Sequence, residues 1–318
     1  METITQIPRQ KMIVLEKKDY LEHEKQNFLH TLNEFFDNLD ERKICTNGRP
    51  PIYFKDMLKS MLIMTYHGMS YRRCQGDLEI ARELGIINAI PNRSTLCKYM
   101  NEEAIRKELM VLIQQSASSF INAEATLIID STWYALKMYS GGHNRKPTNK
   151  NKNKDIPPLA KTRKLHLGIL RNSRIIAYAT TSKGTRNDNL FFKEILFKVI
   201  ENGFYVRVLL ADAGYMSKAN YALAQEKGVE NIFIDFRSNV TGKRAKSKAW
   251  GDAFYIWKHD NNYWHEIYRF RVLVEGVFST IKRKFMNWLR TRKVIARDNE
   301  MLLKVLCYNL TILGKYLN

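Results

Sequence analysis

Cysteine is scarce in this chain. The four present, Cys45, Cys74, Cys97 and Cys307, form no C-x-x-C pair and no ligand-like spacing with histidine. That argues against a disulfide framework and against a zinc site. Long apolar runs are also missing: SMLIMTYHGM and VLCYNLTILG are too short to span a bilayer. The N-terminal METITQIPRQKMIVLEKK lacks the run of a signal peptide, and no basic amphipathic helix or lipidation signal is visible. These absences predict a cytoplasmic protein with no membrane partner. Acid is the third shortage. Asp and Glu number 32 against 52 for Lys and Arg, a formal net charge of +20. A surface this basic attracts polyanions, and nucleic acid is the expected one.

The 318 residues are 45% hydrophobic and 26% charged, enough for one large domain or two modest ones. Residues 1–122 read as helical, with helix periodicity from Glu16 to Glu41 and again in FKDMLKSMLIMTYHGM, SYRRCQGDLEIARELGI and RSTLCKYMNEE. Asn92 or Ser94 is a plausible N-cap for the last of these. Three short helices over about 53–103 suggest a helix-turn-helix DNA-binding unit, with a plain helical bundle as the alternative.

The texture changes for residues 123–318. ATLIIDSTWYAL, KLHLGILRN and RIIAYATTS read as strands, the last two joined at Asn172-Ser173. NLFFKEILFKVIENG is helical with a glycine stop, FYVRVLLADAGY is a buried strand, SKANYALAQEKG a helix and NIFIDF a strand. A long helix over about 265–286 and a final apolar helix follow. A basic stretch, 140–164, reads as a loop, and 237–264 as a short insertion bearing Trp250, Trp257 and Trp264. A three-strand meander followed by alternating helices and strands describes an α/β fold, a mixed sheet with helices on both faces in the element order of ribonuclease H.

Asp130 ends a β-branched run in LIIDST, where a buried carboxylate needs a cation partner; the alternative is a strand-end turn residue. Asp212, in VLLADAGY, ends a second strand, and Gly214 permits a sharp turn after it; the alternative is an Asx-turn or a cap. Asp235, in IFIDF, is a weaker rival. Glu275 lies in EIYRFRVLVEGVFSTIKRKF. On one continuous helix Tyr268, Arg271, Glu275 and Lys282 share a face, while Phe270, Val274, Val277, Phe278, Ile281 and Phe285 form the adjacent packing face. The plain alternative is an amphipathic helix with an Arg271–Glu275 surface pair. His166 and Asp188 are supporting candidates, Asp188 being equally a helix N-cap. The Trp residues either stack on an unpaired base or pack. Lys282, Arg283, Lys284, Arg290, Arg292, Lys293 and Arg297 run without an intervening acid and suit DNA phosphates.

Tyr268, Arg271, Glu275 and Lys282 match Y-x2-R-x3-E-x6-K at every spacing. With IDST and ADAGY, the chain resembles the DDE transposases of prokaryotic insertion sequences over about 125–317, and Glu300, Lys304 and Asn309 resemble that class's downstream pattern. The resemblance implies a ribonuclease-H-like domain with Asp130, Asp212 and Glu275 as catalytic and metal-binding acids. It implies two divalent ions, Mg²⁺ or Mn²⁺, and no small-molecule cofactor. Double-stranded DNA, as terminal inverted repeats and as target, is the implied partner of Tyr268, Arg271, Lys282, Arg283, Lys284, Arg290 and Arg292. A homodimer on DNA and a nucleoid-associated location follow. Some relatives carry a β-rich insertion between the second Asp and the Glu; here that interval is short. The competing readings are a catalytically dead DNA-binding derivative and a nuclease acting without strand transfer.

Overall fold

A computed structural model describes residues 22–39, 53–136, 162–240 and 247–316. The basic stretch over 140–161 lies outside these. Its expected last residues, Thr162, Arg163 and Lys164, do not belong to a loop: they open a strand and are buried.

Among the described residues five helices precede the sheet: α1 (Glu24–Asp37), α2 (Phe54–Tyr66), α3 (Gln75–Glu83), α4 (Arg93–Tyr99) and α5 (Glu103–Ala117). Asn92 caps α4, its side chain accepting from the Ser94 amide at 3.1 Å. The single helix expected from RSTLCKYMNEE ends at Tyr99, and α5 starts afresh at Glu103. The apolar periodicity of the sequence does not mark that break.

The remainder builds a six-stranded sheet from β1 (Thr126–Leu136), β2 (Thr162–Leu170), β3 (Ile176–Lys183), β4 (Val208–Ala211), β5 (Asn231–Ile234) and β6 (Trp288–Leu289). The order is β3-β2-β1-β4-β5, with β6 paired to β1. β2 runs antiparallel to β1 and β3, while β4, β5 and β6 are parallel to their neighbours. This is a mixed α/β sheet, as the element order predicted. β1 forks on one edge: β4 pairs with Thr126–Ile129 and β6 with Ala135–Leu136. Asp130 is the first residue past the end of β4.

Helices α6 (Phe192–Glu201) and α7 (Lys218–Glu226) follow β3 and β4. α6 lies so close to β2 that a Cβ on Gly168 would meet Ile195 Cγ2 at 2.8 Å, so glycine is needed there. The Trp-bearing insertion is a helical pair, α8 (Lys248–His259) and α9 (Asn261–Tyr268). The helix expected over 265–286 is interrupted. α9 gives way to a 3-10 turn, Arg269–Val272, before α10 (Leu273–Phe285). A 3-10 turn winds at three residues per turn, so Tyr268 and Arg271 leave the common helical face expected with Glu275 and Lys282.

The last helix, α11 (Val294–Leu313), joins the parts. It packs on α1, α2 and α5 and also on β2 and β3. Buried on both sides, it needs paired polar groups. Asp298 forms a buried ion pair with Arg163 of β2. Glu300 accepts from the Arg290 and Thr291 amides at 3.0 Å each, and Lys304 donates to the Trp288 carbonyl at 2.8 Å. Asn309 accepts from the Ile176 amide at 3.0 Å and donates to the Ile176 carbonyl and Ser116 Oγ at 2.8 Å each. Its amide stands in for a further strand at the edge of β3. Asn309→Ala leaves those groups buried and unpaired, so the expected loss is about 2–4 kcal/mol of unfolding free energy. Urea denaturation measures it, and a loss below about 1 kcal/mol would contradict this role.

Candidate active site

Alternation along β1 divides the site between the two sheet faces. Asp130 and Thr132 point toward α10. Ser131 points to the other face, which β2 shares through the Ser131–His166 pairing.

On the α10 side, Asp130 is 6% exposed. Its Oδ1 accepts from the Ser131 amide at 2.8 Å and its Oδ2 from Arg271 Nη2 at 2.6 Å. Burial pushes its carboxyl pKa up to about 6, opposed by Arg271 and the Ser131 amide and assisted by Asp212 and Asp188. Arg271 reaches in from the 3-10 turn, and its Nη1 donates to Glu275 Oε1. Glu275 itself is exposed. Lys282 donates from Nζ to Thr132 Oγ1 at 2.6 Å, and burial pushes its pKa down.

Asp212 follows the last residue of β4, beside Asp130 on the neighbouring strand. Its Oδ1 accepts from the Gly214 amide at 2.9 Å, and a Cβ on Gly214 would meet that oxygen at the same distance. The Asx-turn read as an alternative to a site role is present, and it holds the carboxylate at the strand end. Asp235, after β5, lies within electrostatic reach of Asp212 and Arg271; burial raises its pKa. Tyr268 is half-buried and stacks on Trp264 at 6.1 Å.

On the opposite face Asp188 is a hub. Its Oδ1 accepts from Ser131 Oγ at 2.7 Å and Lys164 Nζ at 2.9 Å. The helix cap that sequence allowed for Asp188 is made by Asn187, which accepts from the Asn189 amide at 3.1 Å. That leaves the Asp188 carboxylate free for the strands. His166 is fully buried, stacks on Phe191 at 3.9 Å and pairs through Nε2 with Ser182 Oγ at 2.9 Å. Burial pushes its pKa down to about 4 despite Asp188, so the ring is neutral at neutral pH.

Three neighbours went unread in the sequence: Ser131, Lys164 and Tyr215. Lys164 and His166 stand two apart on a strand facing Ser131, a period-two signal hidden by the apparent basic loop. The Tyr215 hydroxyl is buried within electrostatic reach of Asp188, Asp130 and Asp212.

Other expectations move. Trp250 and Trp264 are 2% and 1% exposed and pack around Phe236, where no base can reach them; Trp257 is partly buried against the same ring. Lys284 is not free for phosphate, because it forms an ion pair with Glu24 of α1. Arg283 and Arg292 are exposed, while Arg290 is partly buried over the Trp288 ring.

The donor set suits a hard divalent cation, since Asp130, Asp212 and Glu275 offer only oxygen and a desolvated Asp130 gains from a cation. Among the described residues no three ligand-type side chains are gathered at metal-binding spacing. The Arg271 guanidinium sits between two of the three acids instead.

The family model described as "Transposase DDE domain" matches residues 122–310. A cryo-EM structure of a piggyBac transposase synaptic complex with hairpin DNA is similar at 12% identity and a TM-score of 0.40, covering 96% of this chain and 73% of that one. No curated protein matches the chain.

A raised carboxyl pKa sets the sign of one pH effect. Asp130 takes up a proton more readily folded than unfolded, so its contribution to stability is fully present below the ordinary carboxyl range. That contribution is lost as pH rises toward about 6. Stability through that window is expected to fall less in Asp130→Asn than in the wild type, as measured by urea denaturation at a series of pH values. Parallel curves would contradict the burial of this carboxyl.

Proposed function

The chain belongs to the transposase DDE-domain family, and from that premise we propose that it cuts and joins DNA at the ends of an insertion sequence, using Asp130, Asp212 and Glu275 as its acid set. As a DDE transposase it is an enzyme of DNA phosphoryl transfer, and the family uses divalent metal. The observation that carries the residue assignment is Asp130, a desolvated carboxylate at the fork of β1 beside Asp212 and joined to Glu275 through one guanidinium.

Asp130, Asp212 and Glu275 would hold two Mg²⁺ or Mn²⁺ ions. Bound there, the ions supply activation of the attacking oxygen and charge neutralisation on the leaving one. The chain's own groups do the positioning. Arg271, which contacts two of the acids, and Lys282, which donates to Thr132 beside Asp130, hold strand phosphates. Asp188 fixes Ser131 and Lys164 from behind, which holds the backbone on which Asp130 rides. Water attacks the phosphorus at the element end, the P–O3′ bond breaks and a 3′-hydroxyl is released. That hydroxyl then attacks a target phosphodiester, releasing a target 3′-oxygen.

Residues 1–122 bind the terminal inverted repeats in this reading. α4 presents Arg93, Ser94 and Lys98 to solvent, side chains suited to phosphate and base-edge contacts. Two ends must be held together for transfer, so a homodimer on DNA is the working assembly. Among the described residues no helix is long and apolar enough to cross a membrane.

The test is strand cleavage and transfer on a fragment carrying the element's own end, with Mg²⁺, comparing the wild type with Glu275→Ala. The expected loss in the variant is on the order of a thousandfold, with DNA binding retained. Equal activity in both removes Glu275 from the site. Inactivity of both with binding intact favours a DNA-binding protein without catalysis.

A further inference from the structure

Arg271 stands where two of the three acids meet. Nη2 donates to Asp130 Oδ2 at 2.6 Å and Nη1 to Glu275 Oε1, so one planar fork ties a strand acid to a helix acid. Among the described residues no other cation contacts Asp130. The third nitrogen of the same group, Nε, is buried with no hydrogen-bond partner among those residues. A buried donor left unpaired costs free energy, so the arrangement is not one optimised for stability alone. One end of the bridge, Glu275, is exposed.

The oxygens that Arg271 occupies are the ones a divalent cation would use. Charge-assisted bonds from a guanidinium are strong, and two cations cannot share one small set of lone pairs without repulsion. We propose that Arg271 is the resident counter-ion of the acid site and competes with the divalent cation for Asp130 and Glu275, so that metal loading requires the guanidinium to leave. This rests on the assignment of Asp130, Asp212 and Glu275 as the acid set. A displaced guanidinium still carries its forked donors, and a phosphate is the partner whose geometry they fit. Whatever draws Arg271 onto phosphate therefore favours metal at the acids, and by linkage metal favours phosphate.

The experiment is Mn²⁺ binding to the full chain without DNA, followed by the electron paramagnetic resonance signal of the free ion and by calorimetry. The variants are Arg271→Ala, Arg271→Lys and Asp130→Asn, each checked for folding by circular dichroism. Arg271→Ala is expected to bind Mn²⁺ more tightly than the wild type, on the order of tenfold. Arg271→Lys is the decisive variant. It keeps the charge but lacks the rigid planar fork that spans the two carboxylates, so it should also tighten, by less. Arg271→Lys indistinguishable from the wild type would mean that field strength alone matters and would overturn the proposal. Arg271→Ala binding no more tightly than the wild type would overturn it too. Asp130→Asn is expected to lose the site. If it binds Mn²⁺ as the wild type does, the acid-set assignment fails, a different result from failure of the competition.

Discussion

A carboxylate set into the central strand of a buried sheet must be answered by positive charge, and the site is arranged around that demand. Asp130 sits where β1 loses one neighbour and has not yet gained the next. The gap in the edge lets a side chain enter from the helical layer. The backbone before α10 tightens into a 3-10 turn, and the guanidinium of Arg271 comes down from that turn onto the sheet. From the opposite face Asp188 gathers Ser131 and Lys164, so β1 is gripped on both sides of the residue that carries the buried charge. The acid is costly by itself, and its neighbours on two helical layers and one strand are disposed to offset that cost.

Much of this was legible from residue order. Short apolar runs leading into Asp marked β1, β4 and β5, because strands covered on both faces read as near-continuous apolar stretches. Asp212 and Asp235 fall directly after strands and Asp130 falls inside β1, where its apolar stretch stops, so the acids were found with the strands. Side-chain direction was less legible. Lys284 belongs to a run of positive charge, yet Glu24, far away in the chain, decides where it points. Asn187 and Asp188 are both capping residues, and only the three-dimensional neighbours show that the first caps while the second turns inward. Lys164 looked like the end of a solvated basic stretch because its partner, Asp188, is supplied by a different element.

The helical interruption at Arg269–Val272 had no warning of the usual kind, since neither Gly nor Pro stands there. Its effect is to separate residues that the sequence spacing places on one face. Tyr268 ends one helix against Trp264, Arg271 lies in the turn, and Glu275 and Lys282 belong to the next helix. The four keep their spacing but take up different tasks. The Trp-rich interval is likewise explained by packing: Phe236, after β5, is ringed by Trp250, Trp257 and Trp264, which seat α8 and α9 against that end of the sheet.

α11 touches the amino-terminal helices with one side and the sheet with the other, and its polar side chains are shared between them: Asn309 reaches both Ser116 and Ile176, and Asn299 donates to the Met100 and Glu102 carbonyls. A tethered module swings on its linker, whereas these helices and the sheet are keyed to a common axle. The distance from α4 to the acids is then a property of the protein, as with the jaws of a fixed-gap caliper. Lengthening the chain between them would not lengthen the reach.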